Sequence, residues 1–194
     1  VILDGLKNME YRGYDSAGVA VTEDGKIKTL KAVGPLLNLE KKISEPDLNG
    51  SAGIGHVRWA THGGVTEKNA HPHPDCKQKI WVVHNGIVEN YQELKSALTK
   101  KGHKFKSETD TEVLAHLIEE KLKGNNYEDA VRLALKEVRG TYGLAILNED
   151  EPEKIIAARY FSPLLLGVGD GEYFVASDAS AVLKHTTKVI YLDD

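Results

Sequence analysis

The chain has 194 residues, of which 41% are hydrophobic and 28% charged, a composition typical of a globular domain and not of a disordered chain. Its 25 Lys and Arg residues against 29 Asp and Glu residues give a formal net charge of −4, so we predict no nucleic-acid partner. No apolar run approaches the roughly 20 residues of a membrane helix, so we predict no membrane partner either. The single cysteine, Cys76, excludes an internal disulfide framework and indicates a reducing compartment, which predicts a cytoplasmic protein.

The first third of the sequence predicts a helix, a hairpin, a second helix and a strand. Apolar residues at positions 3, 6 and 9 share one helical face. Two strand-like runs over 19–22 and 27–33 flank Asp24-Gly25, a dipeptide that favours a tight hairpin turn. A short amphipathic helix over 36–43 and a strand over 54–58 follow.

The remainder predicts a long polar loop, a block of helices and a block of strands. The loop covers 59–79, and a buried strand over 80–84 ends at Asn85-Gly86. Helices are expected from Asn90, with Glu93 completing a capping box, from Thr109-Asp110, and over 127–138. The last elements are predicted strands over 142–147, 155–158, 164–168, 173–176 and 189–192, with a short helix over 180–184. Hairpins and grouped helices indicate an α+β fold with mainly antiparallel sheet.

Arg58 is a candidate carboxylate-binding residue at the end of a predicted strand. It lies in residues 56–63 (HVRWATHG), next to Trp59 and the polar loop. A guanidinium group can bind a carboxylate through two parallel hydrogen bonds. A surface ion pair beside a packed Trp59 is the alternative, and the residues alone favour it.

The loop residues His71, His73 and Cys76 offer three possible metal ligands. Their spacing matches no closed zinc pattern, and the intervening prolines keep the chain extended, so we predict no metal site. A catalytic Cys76–His pair is also conceivable, but Asp75 opposes a stable thiolate. A solvated loop thiol is the favoured interpretation.

Two further positions have both a structural and a chemical interpretation. Asn85-Gly86 favours a tight turn, but an Asn amide beside a Gly N–H is also the composition of an oxyanion hole. Asp110 can satisfy free N–H groups at a helix start, or can face a bound ammonium group. The residues alone favour the structural interpretation of Asn85-Gly86.

Four segments together resemble the class II glutamine amidotransferases. They are residues 10–18 (EYRGYDSAG), 56–63 (HVRWATHG), 83–90 (VHNGIVEN) and 107–113 (SETDTEV). The first two are most similar to the branch that aminates fructose 6-phosphate. The resemblance implies the N-terminal-nucleophile hydrolase fold, a four-layer αββα sandwich of two mainly antiparallel sheets. It also implies that an N-terminal cysteine thiolate, with its own α-amine as base, hydrolyses the amide of L-glutamine to glutamate and ammonia.

The resemblance also implies residue roles at matching positions. Asn85, through its side-chain amide, and Gly86, through its N–H, form the oxyanion hole. Arg58 binds the α-carboxylate of glutamine and Asp110 its α-ammonium group. No cofactor is implied.

Four further residues take supporting roles by the same resemblance. Thr61 and His62 support Arg58. Arg12 is similar to an arginine near the nucleophile, and Trp59 to a tryptophan that gates an ammonia channel.

The sequence departs from the family at its start, where residue 1 is Val1 and the family begins Cys-Gly-Ile. Cys76 is no substitute, because it lies in a mid-chain loop. We therefore predict a single amidotransferase domain over 1–194, truncated at both ends and without glutaminase activity of its own. The implied partner is a C-terminal sugar-isomerase half that binds fructose 6-phosphate, with a homodimer through the parent enzyme.

Two alternatives remain at this point. The same fold could serve another acceptor, as in phosphoribosyl-transferring relatives. The chain could also be a non-catalytic remnant that binds glutamine or a partner protein.

Overall fold

The computed structural model describes residues 1–43, 48 and 50–194. The helices are α1 (Ile2–Met9), α2 (Leu36–Lys42), α3 (Tyr91–Lys100), α4 (Glu112–Lys121) and α5 (Tyr127–Leu135). The strands are β1 (Ser16–Glu23), β2 (Lys26–Val33), β3 (Ala52–Arg58), β4 (His73–Pro74), β5 (Ile80–Val88), β6 (Gly140–Asn148), β7 (Ile155–Tyr160), β8 (Leu165–Val168), β9 (Tyr173–Ala176) and β10 (Val189–Tyr191).

The described strands form three sheets, ordered β2-β1-β3, β4-β5-β6-β7 and β10-β8-β9, and their strand pairings are antiparallel. The predicted α+β fold is therefore confirmed. The 3-10 turn Ala179–Ala181, which follows β9, lies beside α1, where Asn8 Nδ2 donates to the carbonyl of Ser180 at 3.0 Å.

Side chains alternate between the two faces of each strand, and the first two sheets are stacked between layers of helices. In β5, Ile80 and Val82 face the core shared with α3, α4 and α5, whereas Trp81 and Val83 face the core between the sheets. In β1, Ala17 and Val19 face α1 and α2, and Ala20 faces the inter-sheet core. A side-chain period of two thus places helices outside two stacked sheets, which is the predicted αββα order.

The predicted turn at Asn85-Gly86 is wrong, because β5 continues through both residues to Val88. Asn85 pairs with Gly143 and Gly86 with Tyr142 in the β5–β6 ladder. Gly86 has a φ of +127°, and a Cβ there would lie 2.1 Å from the carbonyl oxygen of Thr141. Only glycine fits this position, where β5 and β6 come into close contact.

Three smaller predictions also need correction. Asn90 precedes α3 but makes no capping bond; its side chain instead bonds the backbone of Glu137 and Arg139. The next helix begins at Glu112, later than predicted, and the helix predicted over 180–184 is a 3-10 turn over Ala179–Ala181. The hairpin at Asp24-Gly25 is confirmed, with both residues at positive φ.

Among the described helices, none has both the length and the apolar character needed to cross a bilayer.

Candidate functional site

An open cavity of about 1570 Å³ collects polar side chains from well-separated parts of the sequence. Its lining includes every site residue that the sequence predicts: Arg12, Arg58, Trp59, Thr61, His62, Asn85, Gly86 and Asp110. Strand ends and the segment before α4 supply most of them. The cavity is the natural place to look for a small polar ligand.

Arg58, the last residue of β3, is held by the loop that follows it. Its guanidinium group donates to the carbonyls of His62 at 2.5 Å, Gly64 at 3.3 Å and Gly63 at 3.4 Å. Burial lowers the pKa of Arg58, and the charges of Asp15 and Asp110 oppose that shift. A guanidinium remains charged under these conditions, so the cavity contains a fixed cation.

Asp110 supplies a buried carboxylate to the same cavity. Its Oδ2 accepts a hydrogen bond from the N–H of Val88 at 2.8 Å, and its Oδ1 lies 4.0 Å from His62 Nδ1. Asp110 therefore joins the segment before α4 to the end of β5. It satisfies a strand N–H and not a free N–H group of a helix, contrary to the structural interpretation of the sequence.

The side chain of Asn85 is oriented by a histidine. His56 Nε2 lies 3.0 Å from Asn85 Oδ1. Burial lowers the pKa of His56 to about 4, so the ring is neutral at pH 7. When His56 Nε2–H donates to Oδ1, both amide hydrogens of Asn85 are left for another acceptor.

Four histidines, which we call the histidine layer, support this wall of the cavity; three are buried and His56 is half-buried. They are His56, His71, His73 and His84. The His56 and His71 rings stack at 4.2 Å, and His73 meets His71 edge-on at 4.8 Å. Burial lowers the pKa of each of the four. The layer is therefore a set of neutral imidazoles.

Hydrogen bonds within the layer point to specific tautomers. The backbone N–H of His84 donates to His71 Nδ1 at 3.2 Å, so that nitrogen carries no proton. His84 Nε2 lies 3.2 Å from the carbonyl of Thr141, and its Nδ1 lies 3.0 Å from Thr111 Oγ1. The Nε2–H of His84 thus donates to a carbonyl, and the Thr111 hydroxyl donates to Nδ1.

The layer also holds the segment that carries Asp110. His73 Nε2 lies 3.1 Å from Thr109 Oγ1, and Thr111 contacts His84 on the other side of Asp110. Sequence reasoning assigned no role to His56 or His84. Their occurrence in segments 56–63 and 83–90 was the available signal, but their contacts with His71 form only in the folded chain.

Asp15 and Gly13 fix the chain around Arg58 and Trp59 and were also missed. Asp15 Oδ2 accepts from the N–H of Ala60 at 2.8 Å, and the N–H of Asp15 donates to the carbonyl of Arg58 at 3.1 Å. A Cβ on Gly13 would lie 2.6 Å from the backbone of Arg58 and Trp59. Segment 10–18 therefore packs its backbone directly onto the end of β3.

The remaining predicted residues lie at the rim of the cavity. Arg12 donates to the carbonyl and the hydroxyl of Ser177, both at 3.4 Å. Trp59 is 57% exposed and meets Tyr14 edge-on at 5.5 Å, and Thr61 is exposed. Cys76 is exposed and lies outside the cavity lining.

Comparisons with known proteins identify the family to which the chain is similar. A family model described as a glutamine amidotransferase domain matches residues 56–184. The chain is 55% identical over 195 residues to the glutamine–fructose-6-phosphate aminotransferase (isomerizing) of Pyrococcus horikoshii, covering 100% of this chain and 33% of that protein. It is 53% identical over 194 residues to the enzyme of the same name from Clostridium tetani, covering 100% of this chain and 32% of that protein. The chain thus spans about a third of these relatives.

A solved structure shares the fold. The glutamine phosphoribosylpyrophosphate amidotransferase of Bacillus subtilis, in complex with ADP and GMP, superposes with a TM-score of 0.83 at 28% identity. The match covers 98% of this chain and 41% of that chain. The predicted N-terminal-nucleophile hydrolase fold is confirmed by this similarity.

Proposed function

Because the chain belongs to the glutamine amidotransferase domain family, we propose that its cavity binds L-glutamine for hydrolysis of the side-chain amide to glutamate and ammonia. One observation carries the proposal: a buried cation, a buried carboxylate and an oriented amide line the same cavity. Glutamine presents a carboxylate, an ammonium group and an amide, so the three groups are chemically complementary to it.

Arg58 and Asp110 are the proposed clamp for the two charged groups of glutamine. The guanidinium group of Arg58 pairs with the α-carboxylate, and the carboxylate of Asp110 accepts from the α-ammonium group. His62 links the two, since its carbonyl accepts from Arg58 and its Nδ1 lies 4.0 Å from Asp110. Thr61, the residue before it, lines the same rim. Fixed charges of opposite sign select a zwitterion over a simple amide.

Asn85 and Gly86 are the proposed oxyanion hole. A thiolate of the family's N-terminal cysteine attacks the amide carbon, and the carbonyl oxygen gains negative charge in the tetrahedral intermediate. The amide of Asn85, oriented by His56, and the N–H of Gly86 donate to that oxygen. The α-amine of that cysteine, which took the thiol proton, returns it to the amide nitrogen as the C–N bond breaks, so ammonia leaves and a thioester forms. Water then hydrolyses the thioester to glutamate and regenerates the thiol.

Arg12 and Trp59 are proposed to act at the rim, Arg12 near the nucleophile and Trp59 on the path by which ammonia leaves. Support comes from their shared position on the cavity lining. Fructose 6-phosphate is the proposed acceptor, bound by a sugar-isomerase half in a parent enzyme that forms a homodimer in the cytoplasm. Support for this acceptor comes from the relatives named for fructose 6-phosphate, which are 53% and 55% identical to this chain. The phosphoribosylpyrophosphate amidotransferase is only 28% identical, so phosphoribosylpyrophosphate is the less favoured acceptor.

Calorimetric titration of this chain with L-glutamine tests the binding half of the proposal. We expect L-glutamine to bind, and its analogue without the α-amine to bind at least about tenfold more weakly, because Asp110 loses its partner. Asp110→Asn should remove that preference. Glu89→Gln, which changes an exposed carboxylate just beyond β5, is the matched control and should keep it.

Two results would contradict the proposal. Equal affinity for L-glutamine and the amine-free analogue in the native chain would remove Asp110 from the clamp. Absence of glutamine binding, with the native circular dichroism spectrum retained, would mean that the cavity is not a glutamine site in this chain.

A further inference from the structure

Outside the glutamine cavity, Cys76, His103, His116 and Glu119 bring their ligand-type atoms together; we call this group the Cys76 cluster. Cys76 comes from the turn between β4 and β5, His103 from the connection between α3 and α4, and the other two from α4. The one ligand-type atom that each contributes lies within 4.8 Å of every other. Two histidines and a cysteine meet here although they are far apart in sequence.

The distances in the cluster are close to those of a tetrahedral metal site, although the one between His103 and Glu119 is slightly short. Cys76 Sγ lies 3.6 Å from His103 Nδ1 and 3.4 Å from His116 Nδ1, and the two Nδ1 atoms are 3.4 Å apart. Glu119 Oε2 lies 3.1 Å from His103 Nδ1 and 3.6 Å from His116 Nδ1. Ligands of a tetrahedral zinc ion are separated by about 3.3 to 3.8 Å, since zinc bonds measure about 2.0 to 2.3 Å.

Carboxylates outside the cluster set the histidine tautomers. His103 Nε2 lies 3.2 Å from Glu120 Oε2, and His116 Nε2 lies 3.5 Å from Glu112 Oε1. The hydrogen bond to Glu120 keeps the proton on His103 Nε2, which leaves the Nδ1 lone pair directed at the centre of the cluster. His116 Nε2 makes no hydrogen bond, but the nearby charge of Glu112 favours a proton on that nitrogen in the same way. A metal-binding histidine almost always has this arrangement, with its second ring nitrogen donating to an oxygen.

The remaining contacts suit a thiolate ligand. The backbone N–H of Lys104 donates to Cys76 Sγ at 3.5 Å, and the N–H of Cys76 donates to Glu119 Oε2 at 3.1 Å. Without a cation, burial and the nearby charge of Glu119 raise the pKa of the Cys76 thiol. A divalent cation reverses that preference, because a coordinating thiol is deprotonated.

We propose that Cys76, His103, His116 and Glu119 bind one Zn²⁺ ion. Thiolate, imidazole and carboxylate ligands in a tetrahedron favour zinc over the oxygen-preferring Mg²⁺ and Ca²⁺. A thiolate and a carboxylate with two neutral histidines balance the charge of the ion. The exposed Cys76 gives the ion a route in, while His103 and His116 are buried.

The ion has a structural role, because protein atoms fill all four positions. It joins the β4–β5 turn to the α3–α4 connection and to α4. Glu112, beside His116, also accepts from Ser107 Oγ at 2.7 Å and from the N–H of Lys106 at 2.8 Å. The zinc site therefore fastens the start of the segment that leads to Asp110, without taking part in glutamine chemistry.

The sequence predicts no metal site at Cys76 because it was considered only together with His71 and His73. His71 Nδ1 accepts from the N–H of His84, and His73 Nε2 lies beside Thr109 Oγ1. Both histidines are thus committed to the histidine layer. His103 and His116 replace them as partners of Cys76.

Elemental analysis and cobalt substitution test the proposal directly. The chain purified without chelator, or reloaded with Zn²⁺ after chelation, should hold about one zinc ion per chain. Co²⁺ in its place should give the intense visible bands of a tetrahedral site and a thiolate-to-cobalt charge-transfer band. Cys76→Ser, at an exposed position, should lower zinc affinity at least about tenfold and abolish the charge-transfer band.

Two control variants locate the site. His116→Gln should lose zinc, whereas His185→Gln, outside the cluster, should retain it. A reloaded native chain without zinc, or a cobalt spectrum without a thiolate band, would overturn the proposal. The proposal would also be overturned if Cys76→Ser retained zinc and His73→Gln lost it. That result would assign the metal to the loop histidines.

Discussion

The histidine layer and the Cys76 cluster are two groups of histidines with opposite properties. The layer contains His56, His71, His73 and His84, whose partners are backbone groups, hydroxyls, an amide and one another. Burial therefore keeps these rings neutral. In the Cys76 cluster, each histidine has a carboxylate near its Nε2 and a sulfur near its Nδ1. The partner of the second ring nitrogen, and not burial alone, decides what a buried histidine can do.

Removing zinc should produce the largest change in stability. A ligand at about 1,000 times its dissociation constant stabilises the folded state by about 4 kcal/mol. Urea unfolding of the native chain should show this difference between zinc-loaded and chelated samples. Cys76→Ser, whose zinc affinity is at least about tenfold lower, should lose about 1.4 kcal/mol or more of this difference. Equal midpoints for the two native samples would make the cluster a hydrogen-bonded group and erase its contrast with the histidine layer.

His71→Ala should destabilise the chain by about 2 to 3 kcal/mol without affecting zinc. The change removes the acceptor for the N–H of His84 and the ring that stacks on His56. Chemical denaturation measures the loss, and elemental analysis should still find zinc. Zinc loss in this variant would mean that the layer and the cluster are not independent.

Glu120→Gln should weaken zinc binding about 10- to 100-fold while Cys76 still binds the metal. Glu120 touches Nε2 of His103 and not the ion, so it acts as a positioning residue. Competition with a chelator of known affinity gives the change, and the cobalt charge-transfer band should persist. Unchanged zinc affinity would show that the outer carboxylate does not position His103.

Acid should destabilise the zinc-free chain through the histidine layer. The pKa of His56 falls from 6.5 to about 4, so between these values the unfolded chain binds a proton that the folded chain does not. Stability is therefore lost as pH falls from about 6.5 towards 4, by at most about 1.4 kcal/mol per pH unit for each histidine. His56→Gln should flatten the profile. A slope unchanged by this variant would contradict the neutral ring.

Glu112 titrates in a separate window. Burial alone would raise its pKa, but the adjacent His116 and the hydrogen bonds from Ser107 and Lys106 outweigh burial and lower it to about 2. The contribution of Glu112 to folding stability is complete above about pH 4.5 and is lost as the pH falls towards 2. The histidine and carboxylate effects can therefore be separated by pH.

Local signals in the sequence predicted most of the elements. The Asp24-Gly25 hairpin and α1 follow from turn chemistry and from helical spacing, and both are found. Asn85-Gly86 failed as a turn because strand pairing with β6 overrides the local preference of the dipeptide. Gly86 has a positive φ inside the strand, at the point where Thr141 approaches it closely. A contact between residues so far apart cannot be read from a local sequence pattern.

The candidate site was predictable where a residue resembled a family motif. Arg58, Asn85 and Asp110 came from such motifs, and the fold brings them to one cavity. The Cys76 cluster could not be found in this way, because His103 and His116 approach Cys76 only when α4 packs against the β4–β5 turn. Spacing along the chain instead pointed to His71 and His73.

Steady-state kinetics of two variants test the central claim, a glutamine site with separate binding and catalytic groups. The measurement uses the chain preceded by the family's Cys-Gly-Ile start, with circular dichroism to check folding. Asn85→Ala removes a donor to an oxyanion that exists only during reaction, so kcat should fall about 10²- to 10³-fold. Arg58→Ala removes a contact made equally before and during reaction, so mainly the glutamine KM should rise. A full kcat in Asn85→Ala, or an unchanged KM in Arg58→Ala, would contradict the account.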